Sequence, residues 1–176
     1  MRQMFAARAR KVTTTAVAAV VMSTGLPAVT TTPANAALIH FFIQNIATAD
    51  CLDQHFDPNA APTTTVYSWP NPCHYLGNQQ WRFVSVGGND YKVVNQRSEW
   101  CLSQPAWNGR VYAEICVSPT PAKQKWGPSP VEPGANFLVN RNTSQCLQQE
   151  GNPDVYGRNC DPTNNSQLWQ WRERPA

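Results

Sequence analysis

An all-β fold of three similar units, closed or nearly closed as a barrel, is the class that three features of this sequence predict. The first is an internal repeat. Cys51-Leu52-Asp53-Gln54 returns as Cys101-Leu102-Ser103-Gln104 and Cys146-Leu147-Gln148-Gln149, and Gln79-Gln80-Trp81 returns as Gln124-Lys125-Trp126 and Gln167-Leu168-Trp169. The opening cysteines stand 50 and 45 residues apart and the closing tryptophans 45 and 43. Upstream, Asn45, Asn95 and Asn140 precede the cysteines with Thr48, Ser98 and Thr143 between, so the shared pattern is Asn-x-x-[Ser/Thr]-x-x-Cys-Leu-x-Gln. Self-similarity at this period means one supersecondary unit used repeatedly, each copy burying its apolar face against the others. The second feature is a series of short runs rich in aromatic and β-branched residues, with no sustained helical periodicity. The third is proline: 13 of the 15 follow residue 36, in clusters that exclude long helices.

Taken in order, residues 1–36 read as a secretory signal. Arg2, Arg8, Arg10 and Lys11 form a basic start, an apolar run spans Ala16 to Met22, and Ala34-Asn35-Ala36 is a small-x-small cleavage site before Ala37. The apolar run breaks at Ser23, Thr24 and Gly25, short of the roughly 20 residues of a membrane span. Residues 37–176 then leave room for a single domain. Within it Phe41-Phe42-Ile43, Trp81 to Val86, Tyr91 to Val94 and Phe137 to Val139 are predicted strands, and Gly87-Gly88-Asn89-Asp90 a hairpin turn. Trp169 to Arg172 is predicted to be a last strand beside Phe41 to Ile43, since a closing repeat architecture brings its ends together.

Charge excludes one class of partner. Without the leader the chain carries ten basic and eleven acidic residues and no Lys/Arg cluster, so the electrostatic footprint of a nucleic-acid binder is missing. All six cysteines follow the leader, two per repeat, which in an exported chain implies disulfides. If the units are alike, each closes its own loop: Cys51 to Cys73, Cys101 to Cys116 and Cys146 to Cys160. Each such bridge contributes about 3 kcal/mol on the chain-entropy estimate.

Cys-Leu-Asp, Val-x-x-Trp before the second cysteine, and Gln-x-Trp at the close, in three registers, resemble the ricin B-chain type lectin domain. That resemblance covers roughly residues 40 to 172 and implies a β-trefoil of three four-stranded units. It also implies that Trp81, Trp126 and Trp169 fill a shared core, and that sugar binding sits in one shallow pocket per repeat. By that resemblance repeat one supplies Asp53 as the acid for adjacent hydroxyls, Trp69 as the stacking face, Asn78 as a second hydroxyl contact and Gln79 as the residue steadying the acid. A turn or capping role for Asp53 stands beside this reading. Repeat two offers Ser103, Glu114 and Lys123 at the acid, stacking and amide positions, and repeat three offers Gln148, Arg158 and Ser166, so neither is expected to bind in the family's mode. Tyr112 and Tyr156, each one step after a valine, are the alternative aromatic faces. Repeat one departs from the family in Tyr67, and in the three residues Pro70-Asn71-Pro72 that separate Trp69 from Cys73.

The expected function is therefore that of a secreted, non-enzymatic lectin that binds a galactose-like or related sugar weakly, through one site, with a glycan or glycoconjugate as partner and without cofactor or metal. The alternative is a partner-binding or receptor-binding subunit of a secreted multi-chain toxin, or a trefoil inhibitor. No Gly-x-Ser-x-Gly, His-Glu-x-x-His or phosphate-cradling loop occurs, and His40, His55 and His74 lack metal-ligand spacing and are expected at the surface or in strands.

Overall fold

The computed structural model describes residues 39–57, 63–151 and 153–173, and the expected signal peptide lies outside them. Twelve strands follow in order: β1 (Phe41–Asn45), β2 (Cys51–Gln54), β3 (Val66–Trp69), β4 (Gln80–Gly87), β5 (Asp90–Asn95), β6 (Trp100–Ser103), β7 (Tyr112–Ile115), β8 (Trp126–Glu132), β9 (Ala135–Asn140), β10 (Cys146–Gln149), β11 (Val155–Arg158) and β12 (Trp169–Glu173). Six of them close a ring by antiparallel pairing in the order β1, β4, β5, β8, β9, β12 and back to β1. The other six form three hairpins, β2–β3, β6–β7 and β10–β11, one on each repeat. This is a β-trefoil. Its closing seam pairs Phe42 with Arg172 and Ile43 with Trp171, as expected for the two ends of the repeat. The expected hairpin turn is present too, with Gly87 and Gly88 at φ of 108° and 59°. One strand runs where the sequence shows only proline punctuation: β8 includes Pro128 and Pro130, two residues apart, so their missing N–H groups fall on one side of the strand.

The core repeats the symmetry of the sequence. Leu52, Leu102 and Leu147 pack with Val66, Val111 and Val155 and with Trp81, Trp126 and Trp169, all fully buried. Each indole donates to the carbonyl of its own repeat's leucine: Trp81 to Leu52, Trp126 to Leu102 and Trp169 to Leu147, all at 2.9 Å. The three disulfides join Cys51 to Cys73, Cys101 to Cys116 and Cys146 to Cys160, one per repeat.

The longer pattern is explained by contacts between repeats. The Ser/Thr hydroxyl of each copy donates to the glutamine of the copy before it: Ser98 to Gln54 at 2.6 Å, Thr143 to Gln104 at 3.0 Å and, across the closure, Thr48 to Gln149 at 2.8 Å. The asparagines do the same for backbone, donating from Asn95 to Asn78 O (2.8 Å), Asn140 to Lys123 O (2.9 Å) and Asn45 to Ser166 O (2.9 Å). Buried amides need such partners, because each one left unmade costs about 1–3 kcal/mol. The pattern is thus a three-way lock.

Gly157 tests the tightness of that lock. The Gln104 amide lies against it so closely that an added Cβ would overlap it. Gln104 is fully buried and tied to Thr143 and Gln145, so it has nowhere to swing. Gly157→Ala is expected to lower unfolding free energy by about 1–3 kcal/mol, measured by chemical denaturation; a neutral result would mean that Gln104 repacks freely.

Candidate functional site

In repeat one the hairpin β2–β3 and the segment after Cys73 enclose a cavity of about 350 Å3, lined by His55, Phe56, Tyr67, Trp69, His74, Leu76, Asn78 and Arg97. Trp69 ends β3 at an alternation point that turns its indole outward, and it is 39% exposed. Tyr67, two residues earlier on the same strand, faces the same way, with its ring 6.2 Å from that of Trp69. Asp53 is directly opposite Tyr67 in the β2–β3 register. Three of the four expected residues, Asp53, Trp69 and Asn78, are therefore brought together around one cavity.

Asp53 differs from expectation in depth. Its side chain has no exposed surface and lies under the cavity floor rather than on it. The Asn78 amide donates to both carboxylate oxygens, at 2.9 and 3.1 Å, and His74 Nε2 lies 3.0 Å from Oδ2. The Leu76 N–H donates to His74 Nδ1 at 3.3 Å, which assigns the ring proton to Nε2 and makes His74 the donor to Asp53. Burial pushes the Asp53 carboxyl above the usual range, and hydrogen bonds from Asn78 and Gln79 with the nearby His74 pull it partly back. The Tyr67 phenol is held well above its ordinary value by burial, by the Asp53 charge and by a hydrogen bond to that carboxylate. The buried Oδ1 of Asn78 has no hydrogen-bond partner among the described residues.

Gln79 stands behind the cavity. Its Oε1 accepts from the backbone N–H of His74 at 2.9 Å, as Gln124 Oε1 does from Val117 at 3.0 Å and Gln167 Oε1 from Asp161 at 2.8 Å. The two latter glutamines also donate to the carbonyl just before their cysteine, Ile115 and Asn159. In repeat one the inserted Pro70-Asn71-Pro72 stands at that point, and Gln79 Nε2 makes no hydrogen bond of full geometry while still lowering the Asp53 pKa. The glutamine that elsewhere clamps backbone is here turned partly to the acid.

The corresponding positions of the other repeats are occupied by their own side chains. In repeat three Gln148 Oε1 accepts from Gln167 and Asn164, Arg158 pairs with Glu150 at 2.7 Å, and the Arg158 guanidinium covers the Tyr156 ring at 4.5 Å. Tyr156 thus has no free face on that side. In repeat two Lys123 pairs with Glu114 at 2.6 Å, while the Ser103 hydroxyl is buried without a partner. Among the described residues no group of three or more His, Cys, Asp or Glu is arranged to hold a metal ion, and no helix is long and apolar enough to cross a membrane.

A family model, the ricin-type beta-trefoil lectin domain, matches residues 40–169. The chain belongs to this family. A ricin-type lectin domain is a carbohydrate-binding module, which supports carbohydrate binding here in general terms. Solved structures agree on the fold. The designed three-fold symmetric protein ThreeFoil is similar with a TM-score of 0.66 and 19% identity, over 76% of this chain and 97% of that one. SeviL bound to asialo-GM1 saccharide is similar with a TM-score of 0.59 and 17% identity, over 76% and 96%. The cytolethal distending toxin of Haemophilus ducreyi is similar with a TM-score of 0.61 and 17% identity, over 76% of this chain and 82% of that chain. No curated protein matches the sequence.

The residue of this candidate site that sequence reasoning misses is His74. Expected at the surface or in a strand, it lies instead between the indole of Trp69, 4.9 Å away edge-on, and the carboxylate of Asp53. The available signal was its place directly after Cys73, where the family glutamine fixes the backbone. Val117 and Asp161 occupy that place in the other repeats, so the repeat pattern does not mark it.

Proposed function

We propose that this lectin domain is secreted, with its mature chain starting at Ala37, and binds a galactose-like or related neutral sugar weakly through the repeat-one cavity. One observation carries the reading: among the described residues, repeat one alone sets an exposed indole and an amide on the wall of a cavity with a carboxylate directly beneath them. The apolar C–H face of a pyranose stacks on Trp69. One sugar hydroxyl bonds to the Asn78 amide at the cavity wall. The Asp53 carboxylate accepts from adjacent hydroxyls once the His74 ring, 25% exposed at its side chain, swings off Oδ2. Three or four hydrogen bonds and one stacked ring, set against association costs of several kcal/mol, leave a Kd from millimolar to high micromolar. Avidity on clustered glycans makes so weak a site useful.

The test is titration of the mature protein with a broad glycan panel, followed by variants. Trp69→Ala is expected to weaken the best panel hit at least tenfold with little loss of stability, since the indole is at the surface. Gln148→Ala is expected to leave binding unchanged. Unchanged affinity in Trp69→Ala would refute the site. N-terminal sequencing of exported protein checks the start at Ala37, and an assay on common polysaccharides checks the expected lack of hydrolase activity. A protein partner, as for a toxin subunit, is the second reading, favoured by the ion pairs that fill repeat three; a panel without any hit supports it.

A further inference from the structure

We infer that Arg97 makes the repeat-one cavity selective for acidic glycans, those that carry a carboxylate or sulfate group beside the neutral sugar stacked on Trp69. The inference rests on the sugar-binding reading of that cavity and names the class of glycan it takes. Four other arginines, Arg82, Arg110, Arg141 and Arg158, are paired with Glu99, Asp154, Asp90 and Glu150. Arg97 is exposed, and its side chain forms neither an ion pair nor a hydrogen bond with any described residue. Its guanidinium lies instead over the Phe56 ring, 3.2 Å from the centroid. Stacking of that kind occupies one face of the guanidinium and leaves its in-plane N–H groups open, the fork that takes a carboxylate or sulfate through two parallel bonds.

The fold does not require an arginine at this point. Its backbone N–H donates to Asn95 Oδ1 at 3.0 Å, as that of Ala47 does to Asn45 and that of Asn142 to Asn140, also at 3.0 Å. Three unlike side chains thus serve the same turn. Repeat one also makes room for this one: Gly77 stands where repeats two and three have Ala122 and Asn165, and a Cβ there would come within 3.3 Å of Arg97 Cβ. Arg97 and Leu76 form the wall shared by the sugar cavity and a second cavity of about 490 Å3, whose other lining residues are Tyr75, Gly77, Gln80 and Gln96. No carboxylate lines the second cavity, whereas Asp53 lies beneath the first. The neutral sugar therefore belongs above Asp53 and the anion on the far side of Arg97, where no acid opposes it and the exposed Gln96 amide adds a donor. Tyr75 turns a ring that is 42% exposed onto the same cavity from a φ of 58°, a conformation uncommon for a residue with a side chain.

The experiment measures the affinity of the mature protein for lactose, sialylated lactose and sulfated lactose, in parent and variants. At least one acidic form is expected to bind about tenfold more tightly than lactose, and in Arg97→Gln that ratio is expected to fall to about one. Arg97→Lys keeps the charge without the fork and should retain part of the gain. Added salt should weaken the acidic form and leave lactose itself unaffected. Arg97→Gln, at an exposed position, should keep the melting temperature of the parent, so a lost gain is not a lost fold. A gain with the sialylated form alone makes the group a carboxylate, a gain with the sulfated form alone a sulfate, and a gain with both the oxyanion chemistry they share. If lactose binds through Trp69 and neither acidic form gains, or if the gain survives in Arg97→Gln, the inference is overturned while the repeat-one site stands. If none of the three binds, both fall together.

Discussion

Trp81→Ala is expected to lower the unfolding free energy by about 3–5 kcal/mol, read from denaturant midpoints with an unchanged slope. The indole is fully buried at the centre of the trefoil, flanked by Phe41 on β1 and Asn95 on β5. Removing it opens a cavity that the ring of six strands cannot collapse into, because each strand is fixed on both sides. It also strands the Leu52 carbonyl, which now accepts from Trp81 Nε1, adding to the penalty. Against a total stability of about 5–15 kcal/mol for a domain of this kind, such a loss leaves little in reserve. Trp81→Phe keeps most of the volume and should cost less. Trp126→Ala and Trp169→Ala should match Trp81→Ala, since both make the same bond at the same depth. A loss below about 1 kcal/mol at any of the three would contradict the shared core.

What could be read from the sequence, and what could not, separates along the symmetry. Residues that recur do so because all three repeats use them identically: the tryptophans bond the leucine carbonyls, and Ser98, Thr143 and Thr48 reach back to Gln54, Gln104 and Gln149. A three-fold contact writes itself three times, and the fold, the disulfides and the core were legible for that reason. The candidate site is built from residues that break the symmetry, which a repeat comparison discards. His74 has Val117 and Asp161 as its counterparts. The burial of Asp53 was hidden for a related cause. All four residues of β2 are buried, and the Asp53 carboxylate lies beneath His74 and Asn78, a cover that no pattern of residue types marks.

Asp53→Asn is expected to flatten a pH dependence of stability and to weaken sugar binding. The carboxyl is held above its unfolded value of 3.8 chiefly by burial, so the folded chain binds this proton more tightly than the unfolded chain does. The stability it contributes is fully present below 3.8 and is lost as pH rises through the raised folded value. Unfolding free energies of parent and variant across that window should therefore draw apart in one direction only, the parent losing ground with rising pH by at most about 1.4 kcal/mol per pH unit. Taking the difference cancels other carboxyls such as Asp161, whose pKa is lowered by Thr163 and titrates with the opposite sign. A flat difference, or one that favours the parent as pH rises, would show that His74, Asn78 and Gln79 outweigh burial. Binding separates the two roles of this carboxylate. If sugar hydroxyls take the place of His74 on Oδ2, the neutral amide loses charge-assisted bonds of about 1.5–3 kcal/mol each, and affinity should fall at least tenfold. Unchanged affinity in Asp53→Asn, with affinity lost in Trp69→Ala, would mean that the carboxylate only positions His74 and Asn78 and that the sugar is read by the indole and the amide above it.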